Sequence, residues 1–134
     1  MMKILRGTIF GGISFFILGW LVYGMLLMDF MATHSDASLN RPDDQMIWWA
    51  MILSNLVLGL FVTLFLKWSG ASNIVDGIKK GALFGLLYSL TIDLMMYSMT
   101  TMYDMTAMIV DILVMTVLMA AIGLIVVLTW GKGD

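Results

Sequence analysis

Four apolar stretches, each about as long as a bilayer's hydrocarbon core is thick, constrain this chain more than anything else in it. They run from Thr8 to Met28, Ile47 to Leu66, Gly81 to Met99 and Thr106 to Thr129. A helix rises about 1.5 Å per residue, so roughly 20 residues cross a core of about 30 Å. Inside lipid no water is present to bond backbone amides and carbonyls, and a helix satisfies them within one segment. The expected fold class is therefore all-α, a four-transmembrane-helix bundle forming a single integral membrane domain over residues 1–134. Composition agrees, with 61% hydrophobic residues and a mean hydropathy of +0.99, far from the usage of a soluble domain.

Lys3 and Arg6 precede the first stretch as they would in a signal peptide. Its apolar run exceeds the roughly 7 to 15 residues of such a peptide and no small-x-small cleavage site follows, so a retained helix is expected. The chain has no cysteine, which excludes disulfides, thiolate metal sites and cysteine nucleophiles.

Basic residues set the expected orientation. Lys3, Arg6, Lys67, Lys79, Lys80 and Lys132 fall at one end of the four stretches, six of the seven in the chain. That end is expected in the cytoplasm, with both termini there, in the inner membrane of a bacterium. The other end sets Arg41 against Asp29, Asp36, Asp43, Asp44 and Asp104.

The third stretch carries a row at every fourth position: Gly77, Gly81, Gly85, Ser89, Asp93 and Tyr97. Small side chains let membrane helices approach closely, so a second helix is expected along this row and beside Asp93. The first stretch repeats the device with Gly12 and Gly19 on a face that also carries Phe16 and Tyr23. Each half of the chain pairs a glycine-spaced helix with one ending at tryptophan, Trp68 or Trp130. Two parallel-related helical hairpins are the corresponding expectation.

Depth brings the polar residues together. Tyr23 lies seven residues from Phe30, Asn55 eight from Ile47, Asp93 seven from Thr100 and Asp111 seven from Asp104, residues at the outer ends of their helices, so all four are about 10 to 12 Å down. An aspartate at mid-span costs roughly 2.5 to 3.5 kcal/mol, while an interhelical hydrogen bond returns about 0.6 on average. Two buried acids are thus expensive as structural pins, and the cost falls if they share a proton or hold a cation. Asp93 and Asp111, supported by Asn55 and Tyr23, form the candidate proton or cation site. The bland alternative is a hydrogen-bonded knot that fixes helix register.

Other features carry weaker expectations. Eleven of fifteen methionines lie toward the outer side; thioethers bind Cu(I), making a Met-lined copper carrier a rival function, though flexible apolar filler is the favoured role. The metal, if any, is left open. His34, alone in a polar loop from Asp29 to Gln45, is expected to be solvated, and Pro42 to open the second helix. Trp20 is expected to pack within the bundle. No nucleophile paired with histidine, phosphate loop, HExxH or basic nucleic-acid surface occurs, so neither an enzyme nor a cofactor is expected.

FILGWLVYGMLLMDFM, GALFGLLYSLTIDLMMY and DILVMTVLMAAIGL resemble a family of small bacterial four-span inner-membrane proteins of unknown function, with Phe16, Gly19 and Tyr23 at the matching positions. Val22 stands where that family tends to have tryptophan. The resemblance implies a membrane domain and no activity. Two functions lead: an oligomeric transporter or channel, and a non-catalytic accessory or scaffold subunit; an enzyme acting on lipid comes third, for want of a recognisable nucleophile and base. Expected partners are the lipid bilayer and either a second copy or another membrane protein, not nucleic acid. Glycine rows consumed within one chain and sealed aspartates would favour the accessory role; a water-filled cavity reaching Asp93 or Asp111 would favour transport.

Overall fold

A computed structural model describes residues 2–34, 43–101 and 104–130. Four helices among them are long and apolar enough to span a membrane. The first, α1 (Met2–Leu21), runs on into a π-helical turn at Val22–Leu26; α2 is short (Met28–His34); α3 (Trp48–Trp68), α4 (Ile74–Met99) and α5 (Met105–Trp130) complete the bundle.

Local chemistry places the helix ends. Asn73 caps α4 by accepting the Asp76 N–H at 2.9 Å, and Asp76 reaches back to the Ser72 N–H and hydroxyl at 3.3 and 3.2 Å. This reciprocal cap starts α4 at Ile74, well before the apolar run at Gly81. Asp104 caps α5 through the Ala107 N–H at 2.7 Å. Gly70 turns the chain between α3 and α4 at φ +81°, a conformation that favours glycine.

The expected polar loop differs in structure: Met28–His34 is helical, set off from α1 by the π turn, where the Leu27 N–H bonds Val22 O at 2.7 Å. Arg41 and Pro42 lie outside the described residues; after them Asp43–Gln45 makes a single 3-10 turn, and α3 opens only at Trp48.

Two close seams build the bundle. Along α4, Gly77, Gly81 and Gly85 lie against Gly123, Met119 and Met115 of α5; a Cβ at Gly77 would stand 2.7 Å from the Gly123 carbonyl oxygen, and one at Gly85 2.5 Å from that of Met115. Along α1, Gly11 and Gly12 meet α3 at Gly59, Asn55 and Leu56, and a Cβ at Gly59 would stand 2.5 Å from Thr8 O. Both hairpins therefore set several glycines of one helix against a single glycine of the next, the relation expected of parallel repeats. Gly123 is a partner that row-spacing alone did not single out. Ser89 is buried in the first seam, its hydroxyl donating to Gly85 O at 2.6 Å.

Three expectations change here. Gly19 has no atom within 4 Å of where its Cβ would stand, so the close α1–α3 contact made at Gly12 does not extend to it. Trp20 is 60% exposed and lies over Gly24 instead of entering the core. Tyr97, last in the α4 row, is exposed, since the row drifts around the helix over five steps of four residues.

The repeats are not matched at their outer contacts. Helix α1 packs along α5 as well as α3, with Gly7 and Gly11 against Val126, whereas α3 and α4 touch only sparsely. One side is filled by Val62, Leu66, Leu118, Met119, Ile122 and Val126; the α3–α4 side is open. Antiparallel packing gathers Lys3, Arg6, Lys67, Lys79 and Lys80 at one end, the basic end, where Lys3 lies 5.4 Å over the Trp130 ring. Lys132 and Asp36 are outside the described residues.

Candidate functional site

The α4–α5 seam leads directly to the acids. Its register pairs Gly77 with Gly123 and Gly85 with Met115; carried eight residues farther along α4 it sets Asp93 level with Ala107, and Asp111 lies one helical turn along α5 from that level. The two carboxyl groups lie within hydrogen-bonding reach. Asp93 is 4% exposed, and its Oδ2 is buried without a hydrogen-bond partner. Asp111 is half-buried and its Oδ1 accepts the Tyr23 hydroxyl at 2.5 Å.

Three of the four expected residues thus converge, each from a different helix. Tyr23 sits in the π-helical turn, a distortion that adds a residue to the helical turn and re-aims side chains.

Asn55 does not join them. Its Nδ2 donates to Met51 O of its own helix at 2.7 Å, and the residue lines an apolar groove with Gly12, Ile13 and Phe16. The reason is register. Gly7 faces Thr63, Gly11 faces Gly59 and Gly12 faces Asn55, so carrying the alignment forward to Tyr23 runs past the start of α3. Asn55 is level with Gly12, about 16 Å along the axis from Tyr23. Counting depth from each outer end fails because α3 starts level with Val22, while the first span runs on through the π turn to Leu26.

A second polar contact lies beyond the acids, toward the Asp-rich end. His34 Nδ1 and Asp104 Oδ2 are 2.6 Å apart, and the Asp104 N–H donates to His34 O at 3.1 Å. The Phe30 ring lies 4.5 Å from that of His34. The Ala107 N–H and then His34 hold the Asp104 carboxyl below the ordinary carboxylate range. His34, expected to be solvated, instead ties α2 to the start of α5; its partner was invisible because 70 residues separate the two.

Among the described residues no group of three or more His, Cys, Asp or Glu could hold a metal ion. Comparison with family models, curated proteins and solved structures finds no match.

Chemically, an ionised carboxylate only accepts hydrogen bonds, so contact between two carboxyls holds when one carries a proton. Tyr23 supplies a donor to Asp111, and the orphaned Asp93 oxygen has none. The arrangement can hold one proton between two acids.

Proposed function

We propose that this protein is a multi-pass protein of a bacterial inner membrane, with both termini cytoplasmic, whose Asp93–Asp111 pair binds a single proton. The bundle acts as a proton-responsive accessory element of a membrane complex. The observation that carries the reading is the buried, partnerless Oδ2 of Asp93 beside a carboxyl that already accepts the Tyr23 hydroxyl. A buried polar oxygen left unsatisfied is costly, and two adjacent carboxylates repel; one bound proton relieves both.

A proton fits the site better than a hard cation. Calcium takes six to eight oxygens and magnesium six in near-ideal octahedral array, whereas two carboxyls and a phenol converge here and the phenol spends its hydrogen on Asp111. Accessory action is favoured because Gly12, Gly77, Gly81 and Gly85 are consumed inside the chain and Asp93 is enclosed. Below the pair, toward the basic end, Met115, Met119 and Ile122 fill the interior. Transport by an oligomer is the second reading, supported by the half-buried Asp111 and Tyr23, which reach one flank of the chain. Methionines split between that core and outward positions such as Met25, Met95 and Met99, which supports the filler role over copper carriage.

Infrared difference spectroscopy of the full chain in lipid vesicles tests the proton. A protonated-carboxyl band should be present at neutral pH and disappear in both Asp93→Asn and Asp111→Asn. A band absent from the wild type, or unmoved by either variant, overturns the reading. Proton flux into vesicles separates the two roles, the accessory role requiring none.

A further inference from the structure

The open side of the bundle is a groove between α3 and α4 of about 370 Å³, lined by Phe61, Phe65, Phe84, Leu87, Tyr88 and Ile92, with Thr91 at one edge. Its volume falls in the roughly 300 to 1,000 Å³ range of small-molecule sites. Phe84 forms the floor: it is 5% exposed, meets Phe61 edge-on at 4.9 Å, lies 5.4 Å from Phe65 and stacks on Tyr88 at 5.8 Å. The Thr91 hydroxyl donates to Leu87 O within its own helix, so the wall offers little to a polar guest.

The mouth has the opposite chemistry. On α4, Lys80 continues the groove-facing stripe of Phe84, Tyr88 and Thr91, one helical turn toward the basic end. On α3, Trp68 continues the stripe of Phe61 and Phe65 and is 77% exposed. Lys80 Nζ donates to Ser69 O, which holds the ammonium across the mouth and leaves it further donors. Asp76, the nearest carboxylate along that stripe, is engaged by the Ser72 N–H and hydroxyl. Lys79 adds a second, exposed cation beside Lys80.

Length completes the match. From Lys80 to Ile92 the groove side of α4 rises about 18 Å, close to the roughly 15 Å of one leaflet's hydrocarbon. We propose that this groove binds an anionic phospholipid, one acyl chain lying on Phe84 between α3 and α4 and the phosphate meeting Lys80 beside Trp68. A chain enclosed by aromatic rings and a headgroup pinned by a lysine at the same end fit a lipid better than a second helix, which would bury Lys80 against apolar surface. The proposal is independent of the proton site, which faces α1 and α5.

Native mass spectrometry of the full chain in detergent, titrated with phosphatidylglycerol or phosphatidylcholine of equal chain length, tests it. Wild type should retain phosphatidylglycerol roughly five-fold more strongly. Lys80→Gln, which keeps a donor for Ser69 O, should abolish that preference while retaining weak binding of both lipids. Leu87→Trp, at a half-exposed position where the added ring fills the groove, should lose both lipids with an unchanged circular dichroism spectrum. Equal retention of the two lipids by wild type, an undiminished preference in Lys80→Gln, or full binding by folded Leu87→Trp each overturns the proposal. So does a dimer cross-linked through Leu87 in place of lipid adducts.

Discussion

The Tyr23 hydroxyl, in the π turn that ends α1, donates to Asp111 Oδ1 on α5 across 2.5 Å. The two residues stand 88 apart in the chain, and through Asp111 this bond connects α1 to the Asp93 carboxyl on α4. Removing the hydroxyl leaves the ring and most of its packing. Tyr23→Phe should cost about 1 kcal/mol of stability, between the roughly 0.6 average for interhelical bonds and the 1.5 to 3 for bonds to charged groups. Reversible unfolding in mixed micelles measures it, and a loss below a few tenths would mean that the bond contributes nothing.

The α4–α5 seam predicts a sharp contrast between glycines. Gly85→Ala would press a methyl group onto Met115 O and the Met119 side chain, and overpacking of this kind costs about 1 to 3 kcal/mol. Gly19→Ala meets nothing within 4 Å and should be neutral or stabilise by up to about 1 kcal/mol through helix propensity. Thermal melts of both variants in one detergent provide the comparison; equal effects would contradict the packing.

The α1–α3 seam should behave like its counterpart. Gly59→Ala brings its Cβ onto Thr8 O and Gly12 N at 2.5 and 2.6 Å. Both are backbone atoms and cannot rotate away, so the helices must separate. Cysteine cross-linking between position 8 of α1 and α3 should slow several-fold in this variant.

Asn55→Leu should leave the protonated-carboxyl band untouched, because Asn55 bonds its own helix and sits a span's half-depth from Tyr23. A shift of that band as large as the one expected from Asp111→Asn would place Asn55 back at the site.

Acid should release the α2 latch. The Ala107 N–H and His34 lower the Asp104 pKa in the folded state, so its contribution to stability is fully present above the unfolded value of about 3.9 and is lost as pH falls through the lower folded value. Hydrogen exchange at the Ala107 amide should therefore stay protected through the ordinary carboxylate range and accelerate only below it, after correction for intrinsic rates. Asp104→Ala should exchange fast at every pH.

The spans and the row Gly77, Gly81, Gly85, Ser89 and Asp93 were legible in the sequence because both are periodic in one helix. Bilayer thickness sets the length of an apolar run, and the helical repeat sets which small residues share a face. Gly123 escaped because a single glycine has no period, and His34 because its partner lies far along the chain.

What only tertiary packing decided is how the helices slide against one another. Spacing along α3 says nothing about the level at which α3 starts relative to α1, and that offset removed Asn55 from the acids while leaving Tyr23 beside them. It also left the α3–α4 flank open where the repeat would close it. A sequence determines faces through its own local geometry; registers between helices depend on backbone contacts such as Gly12 on Asn55 and Gly123 on Gly77, which exist only once the chain has folded.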